Sequence, residues 1–235
     1  MTFLRDICKQ EAGLEAGNVI SERIFVVIDD HEALLLGTVP ALQGAYPNTR
    51  ILTAQDAEVA ETLIDSHQPE LVVVDLSIPA VRGGAATSDV GLQLVKGLLE
   101  SKGAPNIAVL STDVNPLVRL KAKIRVYEGG FAAIDKSLPL GEMLNYIGFA
   151  MRGSIYLPSQ VRSRPEFHPK WVQVLKLRFE EGLTDRAIAK RMGTSDRTIR
   201  NYWVRVQDAL LIGEDPDLDL RMQIAIEAKK IGLIR

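Results

Sequence analysis

Two apolar runs that each end in aspartate constrain this chain more than any other feature. Ile24-Phe25-Val26-Val27-Ile28 leads into Asp29-Asp30, and Leu71-Val72-Val73-Val74 leads into Asp75. Short, continuous, β-branched runs of this kind read as strands buried on both faces, as in a parallel sheet covered by helices. Ligands bind such sheets at the carboxyl ends of the strands. Three carboxylates delivered there repel one another unless a counter-charge sits among them. The sequence therefore points to one cation site on an α/β sheet.

The rest of the first 152 residues fits that frame. Further apolar runs fall near 50–53, 107–110 and 131–134, with helical spacing between them near 32–45, 56–66, 90–101, 114–127 and 138–151. Strands alternating with helices predict a five-stranded doubly wound parallel sheet over residues 23–152. Residues 1–22 read as a short, partly helical N-terminal extension. Residues 153–168, with Pro158 and Pro165, read as a linker. Residues 169–235 show no strand pattern. Helical stretches near 170–181, 184–192, 195–210 and 217–231 predict a small all-α domain.

Charge divides the chain at nearly the same place. Residues 1–153 carry 13 Lys+Arg against 19 Asp+Glu, net −6; residues 154–235 carry 15 against 11, net +4. An acidic front and a basic back predict different partners, with the basic domain suited to nucleic acid. No apolar run approaches the roughly 18 residues that a membrane span needs. The single cysteine, Cys8, leaves no intrachain disulfide. A cytoplasmic location with no membrane association is expected.

Two more reactive groups fall at predicted strand ends. Ser111 follows Ile107-Ala108-Val109-Leu110, with Thr112 as the neighbouring alternative, and Lys136 follows Phe131-Ala132-Ala133-Ile134-Asp135. Carboxylates with Mg²⁺, a hydroxyl and an ammonium together suit acceptance of a phosphoryl group, since cation, ammonium and hydroxyl stabilise charge on its oxygens. In this order they resemble the receiver domain of two-component response regulators, over about residues 23–152. The resemblance implies Asp75 as phosphoacceptor and a histidine kinase as donor. It implies Mg²⁺ held by Asp30 and Asp75, by Asp29 partly through water, and by the Ser77 backbone carbonyl. Ser111 becomes the switch hydroxyl and Lys136 the lysine of the site.

Three departures from that family are visible. Ala133 stands where an aromatic usually reports the phosphorylated state. Lys136 is followed by Ser137 instead of proline. The connection Ala80 to Ser88 exceeds the usual length of about 2–6 residues; it gates access, or makes a specific contact with kinase or partner, or is a tolerated surface insertion.

The second diagnostic segment is Leu183 to Trp203, LTDRAIAKRMGTSDRTIRNYW. Ala189 lets two helices cross closely, Gly193 allows the positive φ that leaves the first, and Ser195 caps the next. Ile199 then turns inward with Ile188, Met192 and Tyr202 or Trp203. This is helix-turn-helix spacing, and it presents Arg197, Thr198, Arg200, Asn201 and Arg205 outward, where Arg suits guanine or phosphate and Asn adenine. Residues 169–235 resemble the LuxR-type DNA-binding domain of the NarL/FixJ group. The resemblance implies double-stranded DNA as partner and a fourth helix that makes a homodimer contact. That helix carries Met222, Ile224, Ala225, Ala228 and Ile231 at helical spacing, a stripe equally suited to packing on its own domain.

The expected function is a DNA-binding response regulator controlled by phosphorylation of Asp75, and not an enzyme beyond slow autodephosphorylation. The alternative is a phosphorylation-independent regulator whose receiver serves as a dimerisation or ligand-sensing module. A phosphatase using Asp75 as nucleophile would need a second acid, and the obvious position, two residues on, holds Ser77.

Overall fold

The computed structural model describes residues 22–213 and 217–235. The predicted extension up to residue 21 lies outside the described residues, as does part of the connection before the last helix. Five of the apolar runs form the expected strands: β1 (Arg23–Ile28), β2 (Thr49–Ala54), β3 (Leu71–Asp75), β4 (Asn106–Ser111) and β5 (Phe131–Asp135). The expected count of five strands is corrected by a sixth, β6 (Ile155–Tyr156), which pairs with Phe131–Ala132 of β5 from within the segment read as linker. The sheet is parallel throughout, in the order β2-β1-β3-β4-β5-β6.

Side chains alternate across the sheet, as the two-residue strand period requires. Val26, Ile28, Val72, Val74, Val109 and Ala133 face a core closed by α2 (Ala57–His67), α3 (Ser88–Glu100) and α4 (Lys121–Arg125). Phe25, Val27, Val73, Ala108 and Ile134 face a core closed by α1 (Glu32–Ala45) and α5 (Leu140–Met151). Both faces are dry, which is why the strands read as continuous apolar runs. The stretch expected as one helix near 114–127 divides into a 3₁₀ helix, Asn115–Leu120, followed by α4. Pro116 in its first turn and the burial of Pro116, Leu117, Val118 and Leu120 hold it tightly wound against its neighbours.

The order of the strands reverses between β1 and β3, the topological switch point at which such sheets bind ligands. Gly91 fixes the local geometry there. A Cβ at this position would lie 2.1 Å from the Leu76 carbonyl oxygen, so only glycine lets α3 close on the backbone that follows Asp75.

The long connection after β3 is built into the fold. Ile78 and Thr87 pair as an antiparallel bridge that closes its base. The Pro79 and Ala80 carbonyls accept from the backbone N–H groups of Ala57 and Glu58, while Asp56 accepts from Val59 N. Together they satisfy donors that the first turn of α2 leaves without helical partners.

After β6 come α6 (Ser159–Arg162), α7 (Pro169–Phe179), α8 (Asp185–Arg191), α9 (Asp196–Leu210) and α10 (Leu220–Lys230). Val174, Leu175, Ile188, Ile199, Trp203 and Ile224 form the centre of a third core. None of the described helices is long and apolar enough to cross a membrane.

Candidate functional site

Asp29 and Asp30 follow β1, Asp75 ends β3, and the adjacent ends of β4 and β5 carry Ser111 and Lys136. The parallel register brings these together: Asp75 lies beside Leu110, and Ser111 beside Asp135, the neighbour of Lys136. Asp29, Asp75 and Ser111 are all buried, at 5%, 4% and 5% exposure, which is unusual for polar groups and costly without partners.

Lys136 is the main partner. Its Nζ donates to Asp29 Oδ2 at 2.7 Å and lies 2.8 Å from Asp75 Oδ2. Asp75 Oδ1 accepts from Ser77 N at 3.1 Å, and Asp29 Oδ1 from His31 N at 2.9 Å. Burial pushes the Asp75 pKa up, and the negative charge of Asp29 adds to it; Lys136 and the Ser77 N–H pull the other way without cancelling it. Burial also works against the Lys136 charge, but its hydrogen bonds to Asp29 and Asp75 outweigh this and raise its pKa. One ammonium thus stands against two carboxylates, with Asp30 beside them.

Carboxylate oxygens of Asp29, Asp30 and Asp75 and a ring nitrogen of His31 all lie within 4.8 Å of one another. Asp30 Oδ1 is buried, and although His31 Nδ1 lies 2.8 Å away, no well-directed hydrogen bond reaches it. A buried carboxylate oxygen lacking a donor, beside two further carboxylates, fits a hard cation such as Mg²⁺. His31 is the member that sequence reasoning missed. Its signal was its position directly after the aspartate pair at the start of α1.

The other expected groups are placed as follows. Ser77 joins the site through its N–H; its side chain is exposed. The Ser111 hydroxyl donates to the Asp113 carbonyl at 2.9 Å and accepts from Asp113 N at 3.2 Å, so it is held in a turn rather than against Asp75. Ala133 is fully buried beside Val109, with no aromatic side chain at that point of β5.

In the helical domain the local expectations hold. Gly193 takes φ +62° between α8 and α9, and Ser195 Oγ accepts from Thr198 N at 3.1 Å. Ile188, Ile199 and Trp203 are buried, with Met192 and Tyr202 partly so. Arg197, Arg200, Asn201 and Arg205 are exposed along α9; Thr198 is half-buried, its hydroxyl 3.0 Å from Ser195 Oγ. The α10 stripe divides. Ile224, Ala225, Ala228 and Ile231 are buried, whereas Met222 points to solvent at 60% exposure, as does Ile226, outside the predicted stripe, at 61%.

No protein-family model matches the chain. It is similar to the transcriptional regulatory protein YdfI of Bacillus subtilis, 24% identical over 200 residues that cover 79% of this chain and 88% of that protein. It is also similar to the DNA-binding transcriptional activator DevR/DosR of Mycobacterium tuberculosis, 23% identical over 222 residues, 89% and 94% of the two chains. The fold matches the two-component response regulator RcsB in its DNA complex, with a TM-score of 0.54, 20% identity, and coverage of 88% of this chain and 98% of that one. Over most of its length this chain therefore shares the fold of RcsB, an α/β domain followed by a helical domain.

Proposed function

We propose that this chain is a DNA-binding response regulator in which phosphorylation of Asp75 by a histidine kinase controls a LuxR-type helix-turn-helix domain. The single observation that carries this is the convergence, at the switch point of a parallel sheet, of buried Asp75 with Lys136 at 2.8 Å and with the Asp29–Asp30 pair. Asp29, Asp30 and Asp75 would hold Mg²⁺, with the Ser77 carbonyl completing the protein's share. Bound there, the ion supplies charge stabilisation for the oxygens of the incoming phosphoryl group. Asp75 Oδ2 supplies the nucleophile. Lys136 is already within reach of that oxygen and offsets part of the charge that the new phosphate adds. Ser111 provides a hydroxyl able to exchange the Asp113 carbonyl for a phosphoryl oxygen.

On the output side, α9 is the recognition helix. Its exposed face offers Arg200 and Asn201 to base edges, and Arg197, Thr198 and Arg205 to phosphates or flanking bases. DNA-binding regulators among the similar proteins support this assignment. Met222 and Ile226 give α10 an outward apolar pair suited to a homodimer contact, so that two copies read half-sites about one helical turn apart. A regulator that takes phosphate from a kinase and acts on DNA would work in the cytoplasm.

Selection of genomic fragments by the purified protein tests the output. Fragments carrying two half-sites at that spacing are expected. Arg200→Ala should then cost about 1–3 kcal/mol on the selected site and little on random DNA. Equal losses on both would demote Arg200 to a phosphate contact, and no selected sequence would remove the DNA-binding reading.

A further inference from the structure

The two domains are joined by more than a linker, and the joint hangs from the two strands that carry Asp75 and Ser111. Asp89 lies in the first turn of α3, directly after the closed loop that follows β3. Arg119 lies in the 3₁₀ helix that follows the Ser111–Asp113 turn of β4. Arg119 donates from Nη1 to Asp89 Oδ1 at 2.6 Å and from Nε to the Gly232 carbonyl of the helical domain at 2.6 Å. Asp89 Oδ2 in turn accepts from Arg235 Nη2 at 2.6 Å, with Lys176 of α7 3.8 Å away. Burial opposes the Asp89 charge, but Arg119, Lys176 and Arg235 outweigh it and hold its carboxyl below the usual carboxylate range.

Packing supports the same joint. Val118, from the 3₁₀ helix, is 2% exposed and belongs to the core of the helical domain with Phe167, Leu233 and Ile234, while its neighbour Leu117 belongs to the sheet core. Gly232 takes φ +74°, and a Cβ there would lie 2.8 Å from Pro116 N. Lys121, at the start of α4, donates to the carbonyls of Arg162 and Arg164 in the interdomain segment. A six-residue helix is thus shared by both cores, and a single turn ties it to Ser111. Ala133 leaves the usual aromatic reporter absent on the neighbouring strand.

The contact does not cover the recognition face, since Arg197, Arg200, Asn201 and Arg205 are all exposed with the clamp closed. Closure therefore controls where the helical domain sits and not whether α9 is reachable. Resting on the assignment of Asp75 as phosphoacceptor, we propose that the Arg119–Asp89–Gly232 clamp is the output switch of this protein, holding the helical domain in a fixed placement until the Ser111–Asp113 turn rearranges and releases it to pair on two half-sites. Release follows because the Asp113 carbonyl loses its Ser111 donor once that hydroxyl turns to the phosphate. The 3₁₀ helix that begins at Asn115 then shifts against Gly232.

The test uses the full chain with Cys8 replaced by serine and spin labels at Glu61→Cys in α2 and Asp208→Cys in α9. The parent should give one narrow interdomain distance distribution. Arg119→Gln should broaden it, as should Gly232→Ala, which opens the joint from the other side should Arg119→Gln fold poorly. Beryllium fluoride with Mg²⁺ should broaden the parent in the same way. Affinity for two-half-site DNA should rise on the order of tenfold in Arg119→Gln without phosphorylation, and affinity for a single half-site should not move. A narrow distribution in both variants overturns the clamp. So does an equal gain on single and paired half-sites, which would mean that the contact masks α9. If the parent takes up phosphate from acetyl phosphate but beryllium fluoride leaves the distribution narrow, the coupling is wrong. If it takes up none, the assignment of Asp75 fails first and the coupling with it.

Discussion

Asp75→Asn should take up no phosphoryl group from acetyl phosphate and Mg²⁺, where the parent chain gains the mass of one. The amide keeps the size of the carboxylate and its place at the end of β3, but it cannot act as the anionic nucleophile. Asp29 and Asp30 are close enough to compete, and uptake by either would show as a mass gain that Asp75→Asn retains. Lys136→Ala should still be phosphorylated, but about 10²–10³ times more slowly, as expected for removing one preorganised group that stabilises developing charge. The same change leaves the buried Asp29 and Asp75 without their ammonium, so it should also destabilise the sheet domain. Intact-mass spectra over a time course read both effects. Full uptake by Asp75→Asn would move the reaction to another side chain.

Trp203→Ala should be the most damaging single change in the helical domain. The indole is 4% exposed, packs edge-on against Phe179 with ring centroids 5.8 Å apart, and lies under the Arg221 guanidinium at 3.6 Å. Its Nε1 donates to Asp185 Oδ1 at 3.0 Å, and Asp185 also receives Arg221 Nη2 at 3.2 Å. One ring therefore joins α7, α8, α9 and α10. Removing it should cost about 3–5 kcal/mol, the range for a large aromatic deleted from a core. Trp203→Phe keeps most of the packing and loses the hydrogen bond, for roughly 1 kcal/mol plus the unsatisfied Asp185 oxygen. Both tryptophans of the chain, Trp171 and Trp203, lie in this domain, so Trp171 fluorescence in urea still reports its unfolding in either variant. A loss below about 1 kcal/mol for Trp203→Ala would show that the domain does not depend on this ring.

The acidic corner was legible because each of its groups sits at the end of an apolar run, where sequence position and spatial position coincide. Asp75 and Lys136 could be placed from the ends of apolar runs, Gly193 and Ser195 from helix-capping chemistry, and Ile199 from helix-turn-helix spacing. Groups brought together across long separations were not legible. Arg119 and Asp89 are 30 residues apart, Arg235 and Asp89 are 146 apart, and nothing local marks either pair. β6 was missed because two residues, Ile155 and Tyr156, cannot show a period, and the prolines around them resemble a linker. His31 was passed over because the histidines are scattered in sequence, although this one begins the helix that faces the site. The α10 stripe was ambiguous since a helix with apolar residues on two faces has no single inward side. Burial of Ile224 and Ala228 against exposure of Met222 and Ile226 separates those faces.

The most direct measurement of the central claim is binding of the full chain to its selected two-half-site DNA, with and without beryllium fluoride and Mg²⁺, in the parent and in Asp75→Asn. Control by phosphorylation of Asp75 predicts tighter binding on addition in the parent and no response in Asp75→Asn. Equal affinity in all four conditions would contradict it and leave a phosphorylation-independent regulator, in which the sheet domain serves as a dimerisation or ligand-sensing module.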